Sequence, residues 1–238
     1  MGHTYSSSFR LGLIPFLLVL TACADSLPAF QETNESTKEQ QTAKTIKDND
    51  AEKRLRAMEQ IDAALHQSKD RSEIEALAKI RKCIEQQDVV LSLSHLELST
   101  VPAEIQFADH VKILSLSHNQ LQELPDEFSR LNQLYNLKLD HNRFTRIPSV
   151  ISRLPAFFHL SIKDNQLKSF AVDLKSMTKL KILLLGGNPI SKEAVNELKA
   201  LNQLEILQLF RTGVTAADIE ELKSALPNSR VLVDSNKK

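Results

Sequence analysis

The sequence predicts an α/β solenoid: a short arc of six or seven coils with a parallel sheet along its concave side. Three observations lead to it. An LxL unit begins at Leu91, Leu114, Leu137, Leu160 and Leu183, a spacing of 23 residues, which widens to 24 at Leu207 and Val231. An asparagine stands five residues after the start of four of these units, at Asn119, Asn142, Asn165 and Asn188. A helix-period stretch lies directly before the first unit. One such unit cannot bury its apolar face alone, so copies stack and share a continuous core. This architecture works by recognition across a surface rather than by chemistry in a pocket.

Composition narrows the function. Of 238 residues, 42% are apolar, enough to support a folded core, and 30 basic residues balance 30 acidic ones. That balance gives neither a nucleic-acid footprint nor a broadly basic membrane-binding face. Glycine-rich phosphate loops and an HExxH metal motif are missing from the sequence.

At the N-terminus, Arg10 precedes a 12-residue apolar run, LGLIPFLLVLTA. The run is too short for an ordinary bilayer crossing and fits a secretory h-region. The following LTAC, Leu20 to Cys23, resembles the bacterial lipobox. That resemblance implies removal of residues 1–22 and acylation of Cys23 with palmitate-type chains, anchoring the protein to a membrane. Each buried CH₂ adds about 0.8 kcal/mol. A retained signal anchor is the alternative. Ala24 rather than Asp follows the cysteine, so the lipobox analogy favours the outer membrane over the inner one, although Asp25 stands one place later. Residues 23–49 are polar, offer little surface to bury against their ordering entropy, and are expected to form a flexible tether.

Leu55, Met58, Ile61, Ala64 and Leu65 recur at helical spacing, as do Ile74, Leu77, Ile80, Cys83 and Ile84. Two helices are expected, at 50–67 and 72–87, with Ser72 and Glu75 as a capping box. The segment 50–87 is then a helical N-terminal cap over the first coil, and 88–238 the repeat domain. With Cys23 acylated, Cys83 lacks an intrachain partner, and its spacing places it in the core as an inert thiol.

VKILSLSHNQL, from Val111, matches the LxxLxLxxNxL pattern, and the coils from Leu134, Phe157 and Leu180 follow it. In this the chain resembles the leucine-rich repeat family. The resemblance implies concave strands and an asparagine ladder bonding neighbouring backbone, from which Leu96 and Thr212 depart at the two ends. Pro102, Pro125 and Pro148 recur at 23, as in the short-turn class of bacterial repeats, and Ala171 takes the fourth place. Val195, Leu198 and Leu201, then Ile219, Leu222 and Leu226, have helical spacing. The convex side is therefore expected to be extended early and helical late.

In each strand the residues between leucines alternate outward. One stripe is Ser92, Ser115, Lys138, Ser161, Leu184, Gln208 and Leu232. Its neighbour is Val90, Ile113, Asn136, His159, Ile182, Ile206 and Arg230, and a third is Ser94, Ser117, Asp140, Lys163, Gly186, Phe210 and Asp234. Ile182, Leu184, Ile206, Phe210 and Leu232 are expected to form one exposed apolar patch, with Gly186 and Gly187 leaving room beside Phe210. Lys138, Asp140, His159, Lys163 and Asp164 would orient a partner. An aromatic among branched aliphatics is typical of binding hot spots.

The expected function is noncovalent binding of a protein or peptide on the concave face, without a cofactor. Self-association or cell-wall glycan contact in a structural envelope role is the alternative. His95, His118 and His141, spaced by 23, form a column that Asp164 continues. A pH-sensitive surface suits it better than metal, because coil spacing separates the outer rings. Ser115 or Ser117, His141 and Asp140 assemble a hydrolase only on paper, since an open face gives no shielded pocket.

Overall fold

The computed structural model describes residues 35–170 and 176–234. The proposed signal segment 1–22, Cys23 and Ala171 lie outside them. Residues 46–238 form one unit and residues 1–45 another.

Two helices come first, α1 (Glu35–Gln67) and α2 (Arg71–Gln86). Helix α1 begins well before residue 50, inside the stretch expected to be a tether. That stretch lacks an apolar period, but Glu, Lys, Gln and Ala are strong helix formers, and Glu52–Arg56 adds an i,i+4 ion pair at 2.5 Å. Ala57 and Ile61 are its buried residues, whereas Leu55 is exposed. Helix α2 is capped by Asp70 rather than Ser72: the Asp70 carboxylate accepts from the amides of Ser72 at 2.7 Å and Glu73 at 3.4 Å. Gln87, in the left-handed region at φ 56°, ends it. Among the described residues no helix is long and apolar enough to cross a membrane.

Seven three-residue strands follow: β1 (Val90–Ser92), β2 (Ile113–Ser115), β3 (Asn136–Lys138), β4 (His159–Ser161), β5 (Ile182–Leu184), β6 (Ile206–Gln208) and β7 (Arg230–Leu232). All pair in parallel and in chain order, with equivalent residues opposite one another throughout. A one-residue slip would turn the leucines out of the core, so the apolar pattern and the register enforce each other.

The convex connections change along the chain, as the sequence implies. Early coils carry short 3-10 turns at Ala103–Phe107, Asp126–Arg130 and Ser149–Arg153, each directly after Pro102, Pro125 or Pro148. These segments are therefore wound, not fully extended; proline presets the entry angle and needs no donor there. Late coils carry α-helices, α3 (Lys192–Leu198) capped by Ser191 and α4 (Ala216–Ala225) with a Thr215–Asp218 capping box.

The core runs unbroken from the cap into the coils. Ile61, Leu77, Ile80 and Ile84 share one buried cluster with Leu91, Leu114 and Phe128. Cys83 lies in it, its thiol donating to the Asp88 carbonyl at 3.2 Å and pushed up to about 11 by burial and then by Asp88. Such a thiol stays protonated and unreactive.

The four ladder asparagines are buried, and each serves the coil before its own. The Asn142 oxygen accepts from the Leu121 amide at 3.0 Å, and its nitrogen donates to Leu116 O and Leu139 O, both at 3.0 Å. Asn119 and Asn165 one period away, and Asn188 two periods away, repeat this geometry. Leu96 is tolerated in the first coil because a helical cap, not another coil, precedes it. Thr212 donates to Leu209 O within its own coil at 2.8 Å.

Each buried backbone group left unpaired costs of order 1–3 kcal/mol. Asn142→Ala should therefore lower unfolding stability by about 3 kcal/mol and Thr212→Ala by about 1 kcal/mol. Urea denaturation of both variants checks this; equal losses would remove the ladder as the source.

Candidate functional site

The concave face is built from the two register rows of the sheet plus the residue that leaves each strand. Ile182 faces Ile206 across β5 and β6, while Leu184, Gln208 and Leu232 align across β5 to β7. Ile182, Leu184, Ile206, Phe210 and Leu232 are all half-buried and share this end of the face. The space expected beside Phe210 is occupied. A Cβ at Gly186 would meet Phe210 O at 3.1 Å and Gln208 Oε1 at 3.3 Å, and one at Gly187 would collide with the Asp164 carboxylate. Here the glycines admit the protein's own groups, not a partner's side chain.

The middle of the face is polar. Asp140 Oδ1 accepts from Ser161 Oγ at 2.6 Å and from the Lys163 amide at 2.8 Å, and Lys163 Nζ lies 3.6 Å from Asp140 Oδ2. Lys138 is exposed beside them. His159 is half-buried, and burial, then the positive charge of Lys138, lowers its pKa below the usual imidazole value. Asn136 Oδ1, His159 Nε2 and Gln208 Oε1 are enclosed without a hydrogen-bond partner, at about 1–3 kcal/mol each. Asn136 and His159 sit directly opposite on β3 and β4.

Asp164 belongs elsewhere. His95, His118, His141, Asp164, Gly187 and Arg211 all have left-handed backbone, φ 51° to 73°, where the chain leaves each strand. Their amides bond to the next coil, for example His118 N to Asp140 O at 2.8 Å and Gly187 N to Phe210 O at 2.7 Å. The three imidazoles stack at 4.2 Å between centroids, with interplanar angles of 12° and 17°. His141 Nε2 approaches Asp164 Oδ2 at 3.5 Å, and Arg211 reaches the other oxygen at 2.7 Å. Gly187 is what lets the carboxylate pass over the intervening coil.

The hydrolase assembly does not form. Ser115 Oγ bonds to Ser94 Oγ at 2.7 Å, Asp140 is committed to Ser161 and Lys163, and His141 turns to Asp164. Among the described residues no three His, Cys, Asp or Glu side chains converge on a metal position. Apart from the face, a cleft of about 330 Å³ adjoins α1, with Lys53, Arg54, Phe107, Asp109 and His110 on its walls.

Sequence reading missed three things. Arg211 completes the imidazole column, although only distance in space links it to Asp164. Gln208 interrupts the apolar patch. Tyr135 and Phe158, one position before β3 and β4, are the exposed aromatics among the described residues; their 23-residue spacing was the available signal.

A sequence model of the leucine-rich repeat region matches residues 55–233. The chain belongs to the leucine-rich repeat family. Solved structures similar to the chain include the following. A leucine-rich repeat protein of Leptospira interrogans is 21% identical, with 57% of this chain and 52% of that one aligned and a TM-score of 0.31. YopM from Yersinia enterocolitica is 21% identical over 68% of this chain and 33% of its own, with a TM-score of 0.48. TLR13 in a complex with ssRNA13 is 24% identical over 60% of this chain and 21% of its own, with a TM-score of 0.50. The chain thus spans about half of the first of these proteins and less of the others. No curated protein sequence matches it.

In this leucine-rich repeat chain stacking bears on the titration of the central imidazole. Partial desolvation, then the neighbouring His141 and His95, lower the His118 pKa. A histidine whose folded pKa lies below its unfolded value stabilises the fold above the unfolded pKa, about 6.5, and loses that stability as pH falls through the folded value. Acidification from about pH 8 to about pH 5 should therefore lower Tm more in the native chain than in His118→Gln. Identical shifts in thermal scans would remove the stack as a cause.

Proposed function

We propose that this leucine-rich repeat protein is a bacterial envelope lipoprotein, anchored through acylated Cys23 in the outer membrane, that binds a protein or peptide noncovalently on its concave face. The observation that carries the binding reading is the register of β4 to β7. It aligns Ile182 with Ile206 and sets Leu184 and Leu232 in one row on either side of Gln208, and half-buried Phe210, two residues after Gln208, continues the same alternation. Side chains already partly packed lose little further freedom when a partner covers them, while their remaining apolar area leaves water at about 25 cal/mol per Å².

The polar middle coils supply orientation. Lys138, His159 and the Asp140–Lys163 pair lie next to the apolar end, so a partner lying across the strands meets both kinds of surface. Asp164 enters the reading as the edge of this zone, through its link to Arg211. Six strand-to-strand steps of about 4.8 Å make a face of about 29 Å, long enough for one helix or an extended segment. Leucine-rich repeat proteins commonly act by protein binding, which fits this surface.

Phe210→Asp should reduce the species captured by proximity cross-linking in cells by about tenfold while leaving the circular dichroism spectrum intact. Unchanged capture would displace the binding site from this patch. Separately, an alkyne fatty acid should label the native chain and not Cys23→Ala; absence of label on the native chain would refute the lipid anchor.

A further inference from the structure

The flank on which the chain enters each strand lies at the opposite edge of the sheet from the imidazole column. Val89, Lys112, Tyr135, Phe158, Lys181 and Glu205 hold equivalent places there. Backbone bonds join them in order: Lys112 N to Val89 O at 2.8 Å, Tyr135 N to Lys112 O at 3.1 Å, Phe158 N to Tyr135 O at 3.0 Å, Lys181 N to Phe158 O at 2.9 Å and Glu205 N to Lys181 O at 2.8 Å. Tyr135 is 39% and Phe158 38% exposed, and Lys112 is exposed beside them. The row therefore reads cation, aromatic, aromatic, cation.

Its charge is positive from Lys112 to Lys181, and Lys181 is shared with Glu205, the next residue in the row. Lys179, two residues before Lys181, is exposed as well. The nearest acid before Lys112 is Asp109, already paired with Lys53 at 2.6 Å. Glu205 stands beyond the far end and meets Lys181 at 3.4 Å. Only Tyr135 and Phe158 stand between the two lysines, and a partner carboxylate on Lys181 would compete with Glu205, itself exposed.

We propose that this row is a second docking site, distinct from the concave patch, which takes an extended acidic segment of a partner protein: an apolar side chain seated on Tyr135 and Phe158, and a carboxylate two positions to either side, on Lys112 and Lys181. The dimensions fit this occupant. Three ladder steps of about 4.8 Å separate the lysines by about 14 Å, and four residues of extended chain span the same about 14 Å. The middle residue then lies over the gap between the two rings. A helix rises only about 6 Å over four residues, so carboxylates one turn apart on it fall short of the second lysine. On the concave border of the row, Asn136 and His159 follow the two aromatics in the chain and keep Oδ1 and Nε2 unpaired. An extended segment carries free N–H and C=O groups along its length, which meet those atoms once either side chain turns outward. Aromatic rings flanked by cations also exclude a basic segment by charge repulsion.

The test is selection of a random peptide library, displayed on phage, against the full chain. Enriched peptides should carry two Asp or Glu four positions apart with Leu, Ile or an aromatic midway. Synthetic copies should bind about tenfold more weakly to Tyr135→Ser/Phe158→Ser and to Lys112→Glu/Lys181→Gln, and more weakly as salt is raised. Binding to Phe210→Asp should be unchanged, which separates this site from the concave one. Because all four replaced side chains sit at the surface row rather than in the core, matching melting curves identify the loss as a binding effect. Enrichment of basic or uncharged peptides, no enrichment, or binding that survives Tyr135→Ser/Phe158→Ser overturns the proposal.

Discussion

The repeat depends on a hydrogen-bonding problem more than on its leucines. Winding a chain into coils buries backbone amides and carbonyls at every turn, out of reach of the strand ladder, and each of these needs a partner. The carboxamide of one asparagine per coil offers an acceptor and a two-hydrogen donor at a single point. In this protein it reaches both its own coil and the preceding one. Leucines then fill the space that the ladder defines. Phe128, Phe144 and Phe170 are fully buried among them.

That frame fixes side chains in rows, and the rows give the molecule different surfaces on its two flanks. Where the chain leaves the strands, left-handed residues line up His95, His118 and His141 in a stack and bridge Asp164 to Arg211. Where the chain enters them, Lys112, Tyr135, Phe158 and Lys181 are raised into a row of mixed character. The concave face between the two flanks is small and hydroxylated at first, charged in the middle and aliphatic at the end. None of these surfaces requires a deviation from the repeat; each is a choice of side chain at positions whose geometry the coil has already settled.

Much of this was legible in the sequence because the period converts position in the chain directly into position in space. The strands, their parallel order and the concave stripes follow from Leu91, Leu114 and their successors. Legibility failed where geometry depends on something other than the period. The start of α1 was obscured because polar helix formers without an apolar face look like a tether. Asp70 took the cap from Ser72 because a carboxylate reaches two amides at once. The glycines beside Phe210 looked like empty space, yet Gln208 and the Asp164 carboxylate fill it. Arg211 lies 47 residues from its partner Asp164, a pairing that only the stacked structure brings within 2.7 Å.

The backward reach of each asparagine also gives the solenoid a direction in time. The amides of Leu96 and Leu98 in the first coil are satisfied by Asn119, which belongs to the second. A chain emerging N-terminus first therefore cannot finish the first four coils until the following one has been delivered as far as Asn119, Asn142, Asn165 or Asn188. Along the ladder, assembly trails chain emergence by about one coil, and the helices α1 and α2, made before the first coil appears, become the natural seed on which the growing stack is laid.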